Sequence, residues 1–95
     1  MDVTTAHRAL AAQKIREARG LARRHWGSPG GYQCALGIIA TECLGMMIDY
    51  ASPWGIVRLG RYLGIDHDRV LLILERNDKG WSREKLADWI EAGCK

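Results

Sequence analysis

The chain has 95 residues, 47% of them hydrophobic and 26% charged, and a net charge of +3. That length suits a single domain spanning 1–95, and that apolar content supplies one core, which argues against wholesale disorder. The excess charge lies in the first third: residues 1–31 carry six basic and two acidic groups, net +4, whereas residues 32–95 carry eight basic and nine acidic, net −1. A basic end of this kind suits contact with nucleic acid or an acidic protein, or a solvated helix face.

The opening residues, Met1 to Thr5, are polar and no apolar leader segment follows. Cys34, Cys43 and Cys94 are an odd number, so thiols in a reducing, cytoplasmic compartment are expected. The longest apolar stretch, 34–48, is interrupted by Thr41 and Glu42 and is too short to cross a bilayer, so no membrane partner is expected.

Periodicity predicts five helices and no strand. In the first, over 5–25, Leu10, Ala11, Ile15, Ala18, Leu21, Ala22 and Trp26 share one arc. Arg8, Arg16, Arg19 and Arg23 share the neighbouring arc and form a basic stripe, whose stems can also cover apolar surface. The Trp-Gly-Ser-Pro-Gly-Gly run at 26–31 stops this helix. A Gly-rich loop before a helix can hold an anion, but this one lacks the Lys-Ser/Thr ending of a phosphate loop and reads as a turn.

The second helix, over 33–50, is almost wholly apolar. Gly37, Thr41 and Gly45 recur every four residues and let another backbone approach. It reads as the central, buried helix of a bundle. The third begins with Ser52 as N-cap and Pro53 at the first helical position, and Gly64 suits the left-handed residue after its end. The fourth starts at Asp66 or His67 and ends near Asn77. The fifth starts at Ser82, with Trp81 and Leu86 placed to form a hydrophobic staple, Leu86, Trp89 and Ile90 inward, and Gly93 closing it.

Residues 56–76 resemble a helix-turn-helix: Gly60 allows close crossing, Gly64 makes the turn, and Val70 and Ile73 pack the second helix onto the first. The positions that meet DNA in such a motif hold Asp66, His67, Asp68, Leu71 and Leu72. Two carboxylates would face a polyanion and neither leucine can hydrogen-bond a base edge. The motif therefore describes architecture better than activity. Five consecutive apolar residues at 70–74 exceed what one core can cover, so Leu71 and Leu72 are either buried beneath other helices or offered to a partner.

Cys34, His67 and Asn77 or Asp78 supply the residue types of a thiol hydrolase, but no local spacing unites them, and a cysteine on an apolar helix is more often a small hydrophobe. Cys34 and Cys43 are out of phase on a helix, and His7, His25 and His67 have no zinc spacing. No catalytic group, metal or cofactor is expected. Asn77 and Asp78 are expected to be structural, holding the junction between the fourth and fifth helices.

The succession of a basic first helix, Trp26-Gly27, Cys34-Ala35-Leu36-Gly37, Leu63-Gly64-Ile65, Asn77-Asp78 and Ser82-Arg83-Glu84 resembles a family of small uncharacterised proteins of actinobacteria and their phages. The resemblance implies an accessory protein and carries no established activity. The expectation is an all-α bundle of about five helices with a helix-turn-helix-like element. Its function is expected to be non-enzymatic: engagement of a host or cellular protein, with Arg8, Arg16, Arg19 and Arg23 as the charged contact and Leu71 and Leu72 as an apolar anchor. A DNA-binding regulator using the same arginines is the alternative.

Overall fold

Asp2 lies in extended backbone, and its carboxylate accepts a hydrogen bond from the Thr5 N–H at 2.8 Å. This side-chain cap satisfies a donor that the first turn leaves unpaired and starts α1 (Val3–Glu17). A computed structural model describes residues 2–22, 33–46 and 52–95. Among them are five α-helices.

α1 ends at Glu17, well short of the expected residue 25. Ala18 turns to extended backbone ahead of Gly20, a residue poorly suited to a helix interior. Leu21 then forms an isolated parallel bridge with Gln33, and the Ala22 N–H donates to the Gln33 carbonyl at 3.0 Å. The expected inner arc is corrected as well: Ala11, Ala12 and Ile15 are buried, while Leu10 is exposed. Two alanines make this face shallow enough for a second helix to lie close against it. That helix is α5 (Arg83–Glu91), whose Leu86, Ala87 and Ile90 form its own buried face. The α1–α5 interface is the most extensive between any two elements among the described residues. Burying Ile15, Leu86 and Ile90 fully contributes about 1.5–3 kcal/mol each.

The central helix is α2 (Ala35–Ile38), continued by one π-helical turn, Ile39–Cys43. Residues 34–40 are all buried, as the sequence led us to expect. The Cys34 sulfur accepts from the Gly37 N–H at 3.4 Å, so a thiol caps this helix. The Thr41 hydroxyl donates to the Gly37 carbonyl at 2.8 Å, a local bond that competes with the regular ladder and bends helices. Gly45, at φ +65°, reverses the chain, and the Met46 N–H closes on the Ala40 carbonyl. The segment therefore stops sooner than the expected residue 50; residues 47–51 lie outside those described.

The remaining caps follow the sequence. Ser52 accepts from the Gly55 N–H at 3.1 Å at the start of α3 (Pro53–Leu63). Asp66 accepts from the Arg69 N–H at 2.8 Å at the start of α4 (His67–Asp78). Ser82 accepts from the Lys85 N–H at 3.1 Å at the start of α5. Gly64 holds the left-handed conformation between α3 and α4, at φ +70°. A methyl group on Gly60 would lie 3.0 Å from the Ile65 carbonyl oxygen and 3.4 Å from Val70 Cγ2, so α3 and α4 cross as closely as the helix-turn-helix pattern requires. Trp81 packs against the core and meets Trp89 edge to face, with centroids 5.7 Å apart. No helix among the described residues is long and apolar enough to cross a membrane.

Candidate interaction surface

The α1 arginines are drawn inward. Arg8 donates to the Leu63 carbonyl at 2.9 Å and to the Thr5 hydroxyl at 3.3 Å, tying α1 to the end of α3. Arg16 meets Asp88 at 2.7 Å, Glu91 at 2.9 Å and Glu84 at 3.6 Å, all on α5. Asp88 and Glu91 raise its pKa, the Asp88 hydrogen bond contributing most. Arg19 is exposed beyond the end of α1, so it does not continue a helical stripe. Arg23 and the Gly-rich run at 26–31 lie outside the described residues.

The cations of α4, and Lys85 on α5, are engaged as well. Arg69 pairs with Asp66 and its Nε donates to the Cys94 carbonyl at 3.3 Å. Arg76 lies over Trp81 and Trp89, its guanidinium carbon 5.2 and 5.8 Å from the ring centroids. Lys85 covers Trp81 from 4.2 Å. The start of α4 presents Asp68 almost wholly to solvent. Leu71 is exposed and Leu72 half-buried, so this pair divides between the two placements open to it.

A different set of side chains faces outward on α3. Its inner face is Ile56, Leu59, Gly60 and Leu63. Opposite stand Trp54, 77% exposed, and Val57, 38% exposed, each followed one turn later by an exposed arginine, Arg58 and Arg61. Neither arginine has an ion-pair partner among the described residues. Between α3 and α4 runs an open, largely apolar groove with Gly60 and Gly64 in its lining, Ile56, Val57 and Arg61 on one side and Ile65 and His67 on the other. Leu71, one turn beyond His67, extends the apolar surface along α4. Trp54, Val57, Arg58 and Arg61 were not singled out from sequence, although the signal was there: once the inner face of a capped 53–63 helix is assigned, a tryptophan and two arginines remain on the outside.

Among the described residues the polar groups of catalytic type do not converge on one point. Cys34 is buried as a cap, and its neighbour Ala35 donates its N–H to the Asn77 carboxamide oxygen at 3.0 Å. His67, mostly exposed, lies at the opposite end of α4 from Asn77, about 15 Å away along the helix. Asn77 also donates to the Ala22 carbonyl at 2.7 Å and to Asp78 at 3.2 Å. It thus holds the segment after α1 and the start of α2, while its own carbonyl accepts the Gly80 N–H at 3.2 Å at the α4–α5 junction that the sequence suggests. Elsewhere His7 stacks on Tyr62, centroids 3.9 Å apart, with its Nδ1 2.8 Å from the Tyr62 carbonyl. Burial pushes the Tyr62 phenol up to about 12, helped by the neighbouring Cys43. Burial likewise raises the Cys43 thiol, which disfavours a reactive thiolate. Among the described residues no three His, Cys, Asp or Glu side chains gather as metal ligands.

No family model, curated protein or solved structure matches the chain.

Proposed function

We propose that the protein is a non-enzymatic interaction module that engages another protein through the outer face of α3 and the adjoining face of α4. Trp54 carries this reading. Among the described residues it is the most exposed large apolar side chain, and it stands beside Val57 and two arginines that have no ion-pair partner there. Tryptophan and arginine are the residue types on which interface energy concentrates. Arg8 and Arg16 then serve the fold, Leu71 extends the contact and Leu72 supports it from a half-buried position. Arg19 and Arg23 add positive charge outside α1. The resemblance to small actinobacterial and actinophage proteins fits a cytoplasmic accessory role with a host protein as partner.

DNA binding is the second reading, favoured by Arg58 and Arg61. Asp66 and Asp68 at the start of α4 weigh against laying a phosphate backbone across the same pair of helices.

Tagged chain, its Trp54→Ala variant and a Leu10→Ser control are passed through extract of the cells in which the protein occurs. A random DNA duplex is titrated in parallel across a salt series. The expected result is a protein retained by the chain and the control and lost from Trp54→Ala at an unchanged melting temperature. Duplex binding with a steep salt slope, abolished by Arg58→Ala with Arg61→Ala, would put the DNA reading in its place.

A further inference from the structure

Among the described residues the guanidinium groups fall into two sets. Arg8, Arg16, Arg69, Arg76 and Arg83 each have a carbonyl, carboxylate or aromatic partner within the chain. Arg19, Arg58 and Arg61 have no such partner among the described residues, and of these Arg58 and Arg61 lie on the one helix face that also exposes Trp54 and Val57. Arg61 further lines the apolar groove between α3 and α4. This face joins an open apolar groove to two arginines that have no carboxylate partner among the described residues.

We infer that the segment bound there is an acidic amphipathic stretch of protein, one apolar side chain entering the α3–α4 groove and its carboxylates meeting Arg58 and Arg61. The inference rests on the reading of this face as an interaction surface and supplies the partner's chemistry. A guanidinium and a carboxylate form a directed, two-pronged pair that a lysine would not reproduce. The groove lining is largely apolar, which suits a leucine-sized side chain better than a sugar-phosphate chain. Asp66 and Asp68 flank His67 at the groove's edge. A continuous polyanion crossing the groove would meet them, whereas a peptide can place its few carboxylates on the α3 side alone.

The test uses the whole chain and a fluorescent helical peptide of about four turns, with leucines one turn apart on one face and glutamates beside them. A second peptide carries lysine in place of every glutamate. The acidic peptide is expected to bind, to weaken as salt rises, and to lose at least about tenfold in affinity to Arg58→Glu with Arg61→Glu and to Val57→Asp. The charge-reversed variant is expected to bind the lysine peptide instead. Because these positions are exposed, circular dichroism should be unchanged in each variant. Failure of the acidic peptide to bind, equal binding of both peptides, or indifference to charge reversal overturns the inference. If Trp54-dependent retention of a partner persists alongside such a failure, only the partner's assigned chemistry falls; if it is lost too, the interaction reading falls with it.

Discussion

The Asn77 carboxamide oxygen accepts the Ala35 N–H at 3.0 Å across 42 residues of chain, while its nitrogen donates to the Ala22 carbonyl. Asn77 is wholly buried, the one buried polar or charged residue among those described. Losing this side chain leaves a donor and an acceptor stranded, at about 1–3 kcal/mol for each buried group. Asn77→Ala is expected to lower the unfolding free energy by roughly 3 kcal/mol in urea denaturation. Asp78, only half-buried, is expected to cost less than Asn77 when truncated to alanine and to leave partner binding unchanged. Equal effects would show that Asn77 does not bridge the three segments.

Gly64 is held twice over. Its φ of +70° disfavours any side chain, and an added Cβ would come within 2.7 Å of Thr4 Cβ on α1. Gly64→Ala is expected to destabilise by about 3 kcal/mol, more than the 1–2 kcal/mol that left-handed backbone alone costs. In a Thr4→Gly background the penalty should fall to that backbone component. Thermal melts of the four chains in the cycle measure the difference.

Two helix caps titrate in acid. The Asp2 and Asp66 carboxylates are held below the ordinary carboxylate range, chiefly by the backbone N–H groups of Thr5 and Arg69. A carboxylate whose folded pKa is depressed contributes stability above its unfolded pKa, near 3.9, and loses it as pH falls through the lower folded value. Asp2→Asn with Asp66→Asn keeps an N-cap at both sites and removes the titration. The acid limb of the stability–pH curve should flatten in that variant, with little change at neutral pH. An unaltered acid limb would assign acid unfolding to other groups.

The thiols should react in an order set by burial. Cys34 is fully buried and Cys94 nearly so, while Cys43 is half-buried. Burial also pushes the Cys94 thiol up to about 11. A disulfide reagent at mild alkaline pH is expected to label Cys43 first, more slowly than a thiol of ordinary pKa, and Cys34 only as the protein unfolds. Mass spectrometry of digested samples over time gives the order. Early labelling of Cys34 would show that the α2 cap opens locally.

The parts of this fold legible in the sequence are those fixed by neighbours in the chain. Ser52, Asp66 and Ser82 each cap a donor three residues on, and Gly64 needs only its own backbone preference. The end of α1 is not legible from propensity, because Ala18, Arg19, Leu21 and Ala22 are good helix formers on either side of Gly20. There the chain leaves the helix to pair Leu21 with Gln33 and to give the Ala22 carbonyl to Asn77, gains that depend on distant residues. Asn77 looked like a turn former for the same reason. Arg8 and Arg16 share α1 as their spacing predicts, but no spacing rule reveals that α5 brings three carboxylates to Arg16.

The α1–α5 interface also bears on how the chain is made. Arg16 and Asp88 are joined across 72 residues. During vectorial synthesis α1 leaves the ribosome long before α5, and its alanine face must wait without its cover until the last helix appears. Long-range closure of this kind slows folding relative to bundles built from adjacent helices. The Arg16–Asp88 pair is correspondingly one of the last contacts the growing chain can make.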